Sequence, residues 1–67
     1  MEKGKVKWFN ATKGYGFIQP TSGSSDVFVH ISEVEKAGHS TLAEEQLLSY
    51  ELEDNKGKES AIKLQLL

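Results

Sequence analysis

Apolar and polar residues alternate along most of this chain with a period of two, the spacing of strands that bury one face. From Lys3 to Asn10, the residues Lys3, Lys5 and Lys7 alternate with Gly4, Val6 and Trp8. Strict alternation places Trp8 with Val6 and Phe9 with the lysines, so both rings reach one surface only through a bend or bulge nearby. Asn10-Ala11-Thr12-Lys13-Gly14 carries the Asn and Gly of a turn. Tyr15 to Gln19 reads as a second strand, with Tyr15 and Phe17 on one face and Gly16 and Ile18 on the other. Pro20 ends it, and Thr21-Ser22-Gly23-Ser24-Ser25 has the composition of a loop. Asp26 to Ile31 is a third strand, in which Val27, Val29 and Ile31 alternate with Phe28 and His30.

The middle of the chain is less periodic. Ser32-x-x-Glu35 and Thr41-x-x-Glu44 each match a capping box, which permits a short helical turn at either place. Gly38 interrupts the first. A strand from Gln46 to Glu53 follows, because Leu48, Tyr50 and Leu52 alternate with Ser49, Glu51 and Glu53. Asp54-Asn55-Lys56-Gly57 is a hairpin turn signal. A last strand, about Glu59 to Leu66, sets Ile62, Leu64 and Leu66 on one face. No internal repeat is visible, and no low-complexity tract beyond the Ser-rich loop. Short strands with turn signals and no long helix predict an all-β fold, a small five-stranded antiparallel barrel. Closing such a sheet removes its exposed edges. The expected inner set is Val6, Ile18, Val27, Val29, Leu48, Tyr50, Leu52, Ile62 and Leu64.

Length and composition narrow the setting. The 67 residues form one domain, 1–67, with no room for two. So short a chain buries only about 60% of its unfolded surface, so modest stability is expected. It has no cysteine, hence no disulfide and no thiolate metal site. No apolar run follows the charged N-terminus, and nothing approaches the ~20 apolar residues of a membrane span. A cytoplasmic location is the expectation. The net charge is −2, yet its distribution matters more than its sum. Before Pro20 stand Lys3, Lys5, Lys7 and Lys13 against Glu2 alone, while nine acidic residues and four lysines lie from Asp26 onward. Glu33, Glu35, Glu44 and Glu45 read as a solvated side that repels nucleic acid.

The predicted strands would gather five of the six aromatic residues, in three clusters: Trp8-Phe9, Tyr15-x-Phe17 and Phe28-x-His30. An aliphatic core already lies on the opposite face, so outward rings need a purpose. Lys13-Gly14-Tyr15-Gly16-Phe17-Ile18 follows the pattern basic, Gly, aromatic, Gly, aromatic, aliphatic, used by ribonucleoprotein strands to stack bases. The two glycines let backbone approach closely. Rings flanked by Lys5, Lys7 and Lys13 make a platform for single-stranded nucleic acid. A peptide-binding barrel using the same surface is the competing reading, against which the interleaved glycines and flanking lysines speak. Phe9 is read equally as a structural ring and as a ligand contact. His30 and His39 are the only histidines, too few for a metal site without carboxylates placed by chance. No Ser-His-Asp spacing or phosphate-cradling loop is present. An enzyme is not expected, and neither cofactor nor metal is implied.

At these residues the chain resembles the bacterial cold-shock proteins over essentially its whole length. The resemblance runs through Gly4-Lys5-Val6-Lys7-Trp8-Phe9-Asn10, Lys13-Gly14-Tyr15-Gly16-Phe17-Ile18 and Asp26-Val27-Phe28-Val29-His30. It continues in Gly38-x-x-Thr41-Leu42, in Ser49-Tyr50-Glu51 and at Gly57. It implies an oligonucleotide-binding (OB-fold) barrel that binds single-stranded RNA and DNA as an RNA chaperone, without ATP. Carried over position by position, it implies contacts from Lys7, Trp8, Phe9, Lys13, Tyr15, Phe17, Phe28 and His30, with Lys5, Ile31 and His39 as additional ones. Ile31 and His39 stand where the family often has rings, which weakens stacking there. Glu45 stands where a glycine is expected before Gln46; a positive φ there would cost of order 1 kcal/mol. The apolar tail Leu64-Gln65-Leu66-Leu67 either packs on the barrel or offers a surface for weak self-association of an otherwise monomeric protein.

Overall fold

The computed structural model describes residues 1–23 and 25–67, the side chain of Asn55 excepted; the part of the Thr21-to-Ser25 loop reading that concerns Ser24 lies outside them. Its strands are β1 (Glu2–Asn10), β2 (Tyr15–Pro20), β3 (Val27–His30), β4 (Leu47–Asn55) and β5 (Lys58–Leu66), with one short helix α1 (Ile31–Lys36) between β3 and β4. They close into a barrel in the order β1-β2-β3-β5-β4. Four of the five neighbouring pairs are antiparallel; the fifth, at the closure, is a single parallel contact in which β3 meets β5 at Phe28 and Ser60. The expected five-stranded barrel is thus present, with one minor parallel pairing at that seam. Successive strands run in opposite directions, so β5, two strands after β3, runs parallel to it where the order β3-β5-β4 sets them side by side.

Two bulges set which residues face inward. In β1 the register with β2 changes between Val6 and Trp8, so that Val6 pairs with Ile18 but Trp8 pairs with Phe17. In β5 the register with β4 changes opposite the segment between Ser49 and Glu51. Lys63, with φ 52°, lies at that second bulge. One extra residue therefore separates Ala61 from Leu64, and both point inward. Ile62, expected in the core, is turned outward with its partner Glu51. Leu52, also expected in the core, pairs with the buried Ala61 near the hairpin end of the barrel and stays 42% exposed.

The core is Val6, Ile18, Val27, Val29, Val34, Leu42, Leu48, Tyr50, Ala61 and Leu64. The alternating positions of β1, β2 and β3 supply it as expected. Val34 comes from α1 and Leu42 from the loop after it, where no strand periodicity marks them. Of the tail, Leu64 is buried and Leu66 packs on the core, while Leu67 is exposed beside Leu47. Glu33 departs from the solvated-side reading: its carboxylate binds Lys36 Nζ at 3.2 Å and accepts from the Lys63 backbone at the bulge.

Local chemistry explains the connections. Asn10 Oδ1 accepts from the backbones of Thr12 and Lys13 at 2.9 and 3.0 Å, which shapes the turn from β1 into β2. The β4–β5 hairpin turns through Lys56 and Gly57, both at positive φ, the type I′ arrangement that matches strand twist. The helix begins two residues earlier than the Ser32 capping box predicts, with His30 as its cap. It ends in a Schellman motif: Gly38 N–H donates to Glu35 and His39 N–H to Val34, with Gly38 at φ 88°. The second capping box, at Thr41, forms no helix; its end is a turn in which Glu45 has φ 64°.

Candidate nucleic-acid interface

The bulge in β1 creates the surface. Had the Val6–Ile18 register continued, Trp8 would lie opposite Gly16, on the inner side. The extra residue brings Trp8 opposite Phe17, and Phe17 in turn lies opposite Phe28. Cross-strand partners share a face, so Trp8, Phe17 and Phe28 form one row across three strands. Tyr15 lies between Asn10 and His30 in the next row.

The rings touch in a closed circuit. Trp8 is 5.4 Å from Phe17 and 5.6 Å from Tyr15, centroid to centroid. Phe28 completes it, 6.0 Å from Phe17 and 5.8 Å from Tyr15. His30 adjoins Phe28 at 6.4 Å. Most contacts are edge-on or tilted, while Tyr15 and Phe28 are stacked at 24°. Edge-to-face packing braces rings whose outer surfaces remain available. All four of the circuit are half-buried, and His30 is exposed.

Phe9 is placed differently from its neighbours. It packs against the core and pairs with Gly16. A Cβ on Gly16 would come within 2.3 Å of the Trp8 carbonyl oxygen and 2.7 Å of the Phe9 ring. Glycine at this position is thus a requirement of the bulge, since only it admits so close a backbone. Ile31 opens the helix, and its N–H donates to the Gly14 carbonyl at 2.9 Å. It buttresses the corner where β2 begins. His39 is exposed beyond the end of α1 and takes no part in the ring circuit.

The cations around the rings are not equivalent. Lys7 Nζ lies 2.9 Å from an Asp26 carboxylate oxygen, both side chains partly exposed. Lys5 and Lys13 are exposed, and no ion pair of either is seen among the described residues. Beside Phe17 and Phe28 opens a recess of about 570 Å³, bounded by Asp26, Lys58, Glu59 and Ser60 as well. Sequence reasoning did not select Asp26, Lys58 or Ser60 for the site. The β3–β5 closure brings them there, and no local pattern marks it. The arrangement offers apolar ring surface, a few cations at its margin, and two carboxylates that discourage phosphate from the recess.

Comparison with known proteins agrees with this geometry. The sequence profile of the "Cold-shock" DNA-binding domain matches residues 2–67. A probable cold shock protein of Sinorhizobium fredii is 64% identical over 67 residues, 97% of each chain. The cold shock protein CspA of Rhizobium meliloti is 54% identical over 63 residues, 91% of each chain. The cold shock-like protein CspC of Escherichia coli is 50% identical over 60 residues, 90% of this chain and 87% of that one.

Proposed function

The chain belongs to the cold-shock DNA-binding domain family, a family of nucleic-acid-binding domains rather than enzymes, and from that premise we propose that it binds single-stranded RNA and DNA as an RNA chaperone. The observation that carries this reading is the closed circuit of Trp8, Tyr15, Phe17 and Phe28 on the outer face of three adjacent strands. Bases leave water and stack on these rings and on His30. Lys7 and Lys13 meet phosphates at the margin, and Lys5 contributes less. Phe9 acts by holding the bulge that turns Trp8 outward. Ile31 and His39 lie outside the stacking surface.

A duplex hides the base faces that the platform needs, so the protein binds the open form only and shifts a hairpin toward it. At ten times its dissociation constant the shift is about 1.4 kcal/mol, close to the mean stacking of one base-pair step. Marginal hairpins open under such a bias and long helices do not. No ATP is needed, because the protein holds strands apart rather than driving them. This activity fits a monomer in the cytoplasm. No described helix is long and apolar enough to cross a membrane.

Titration with oligothymidine, followed by Trp8 fluorescence, tests the proposal. Strong quenching is expected, with much weaker binding of duplex. Phe17→Ala and Phe28→Ala each remove a stacking surface worth roughly 1–3 kcal/mol per base, or about 5- to 150-fold in affinity. Lys5→Ala removes at most one phosphate contact. Equal losses from the ring and lysine variants would refute a stacking mechanism.

A further inference from the structure

His30 is held by two neighbours of different kind. One face of its ring adjoins Phe28 and so belongs to the platform. Its Nδ1 lies 3.1 Å from the Ser32 backbone nitrogen and 3.0 Å from the Ser32 hydroxyl. A backbone N–H can only donate, so in the neutral ring Nδ1 must be the acceptor. The imidazole proton then resides on Nε2, on the edge of the ring away from α1. No described residue accepts from Nε2, and the side chain is exposed. The same bond is the N-cap of α1, and the next residue, Ile31, is bound to Gly14 at the start of β2. The ring is thereby fixed in tautomer and in orientation by the corner where β2, β3 and α1 meet.

We infer that Ser32 is a positioning residue for the ring platform: its backbone N–H holds His30 as the Nε2–H tautomer, so that His30 gives bound nucleic acid both a stacking face and one fixed N–H donor. The inference rests on the nucleic-acid reading above and makes its chemistry more specific. The donor takes an oxygen acceptor, either a base carbonyl or a phosphate oxygen. A phenylalanine here would stack without donating. An asparagine would cap the helix but offer neither the ring nor that donor.

The test begins with histidine-labelled protein and imidazole nitrogen spectra at about pH 8, above the range where imidazoles generally titrate. His30 should show an unprotonated Nδ1 and a protonated Nε2, and Ser32→Ala, which keeps the N–H, should leave this unchanged. His39, whose ring has no such bond among the described residues, serves as the internal reference. Oligothymidine should shift the Nε2–H signal and leave Nδ1 unprotonated. An Nδ1–H tautomer, or an even mixture like that of a free ring, would overturn the inference.

Affinity gives the second readout. His30→Phe should retain ring stacking yet bind oligothymidine roughly three- to tenfold more weakly, the range of one hydrogen bond. His30→Asn should keep the thermal midpoint that the cap supports and lose more affinity than His30→Phe. Oligothymidines carrying single methylphosphonate linkages or single 4-thiothymidines then separate the acceptors. The substitution whose penalty disappears in His30→Phe identifies the phosphate or the base carbonyl. Full affinity in His30→Phe, or no coupling with either probe, would refute the donor role. Failure of the unaltered protein to bind any single strand would instead end the nucleic-acid reading, and the donor role with it.

Discussion

Replacing Glu45 with glycine should stabilise this protein. Glu45 sits at φ 64° in the turn that leads into β4, a conformation that crowds the Cβ of any L-residue. Its backbone is committed there, because its N–H donates to the Val6 carbonyl at 2.7 Å and Val6 N–H donates to Gln46 at 2.9 Å. The turn therefore cannot relax without giving up bonds that anchor β1. The side chain is exposed and no ion pair of it is seen among the described residues, so little is lost with it. The left-handed conformation costs a non-glycine residue roughly 1–2 kcal/mol. Glycine relieves that, and gives back about 0.5–1 kcal/mol through its greater freedom in the unfolded chain. The net gain is about 0.5–1 kcal/mol, which for a domain of this size raises the thermal midpoint by about 2–8 °C. Thermal unfolding followed by circular dichroism measures it. Glu45→Gln removes the charge and keeps the strained backbone, so it should melt close to the parent. A Glu45→Gly protein that melts no higher than Glu45→Gln would show that the turn stores no strain. Oligonucleotide affinity should be unaffected, since the rings lie elsewhere.

Three further outcomes follow from the geometry. The buried Tyr50 hydroxyl has no hydrogen-bond partner among the described residues; burial raises its pKa, and Glu2 and then Glu59 add to the effect. Its folded pKa thus exceeds the unfolded value of about 10, so this stability contribution is whole below that pH and is lost as pH rises beyond it. Tyr50→Phe should add about 1 kcal/mol at neutral pH and flatten the alkaline decline seen by denaturant titration; an unchanged alkaline profile would contradict it. Asp26→Asn frees Lys7 from its 2.9 Å ion pair, so oligothymidine should bind more tightly. The dependence of log K on log salt should steepen by about 0.7 for one added phosphate contact, and an unaltered slope would place Lys7 outside the ligand's path. Gly16→Ala forces a Cβ to within 2.3 Å of the Trp8 carbonyl; it should cost at least about 1–3 kcal/mol and weaken Trp8 quenching, and a stable variant with full quenching would refute the close approach.

Much of the platform is legible in the residues alone. Tyr15 and Phe17 share a face because a strand alternates, and Ile18, Val27 and Val29 occupy the other face for the same reason. The turn at Asn10–Gly14 and the Gly57 position of the β4–β5 hairpin rest on residue types that favour those backbone angles, whereas Lys56 at φ 56° does not. Such features depend on neighbours a few positions away, which is why a linear pattern carries them. Trp8 is the intermediate case. Its neighbour Phe9 already signals that one of the two must break the alternation, yet the direction of the break depends on Gly16 across the sheet.

The rest arises from closing a barrel. Lys63 takes a left-handed conformation so that Ala61 and Leu64 can both point inward, and Ile62 leaves the expected core as a result, while Leu52 is exposed near the hairpin end of the barrel. The parallel seam between Phe28 and Ser60 carries Lys58 to the edge of the rings. His30, the last residue of β3, is also the helix cap because α1 begins directly behind it. Each of these reflects a constraint shared among strands far apart in the chain, where register must shift for the last edge to meet the first, and no periodicity within a single segment can encode that shift.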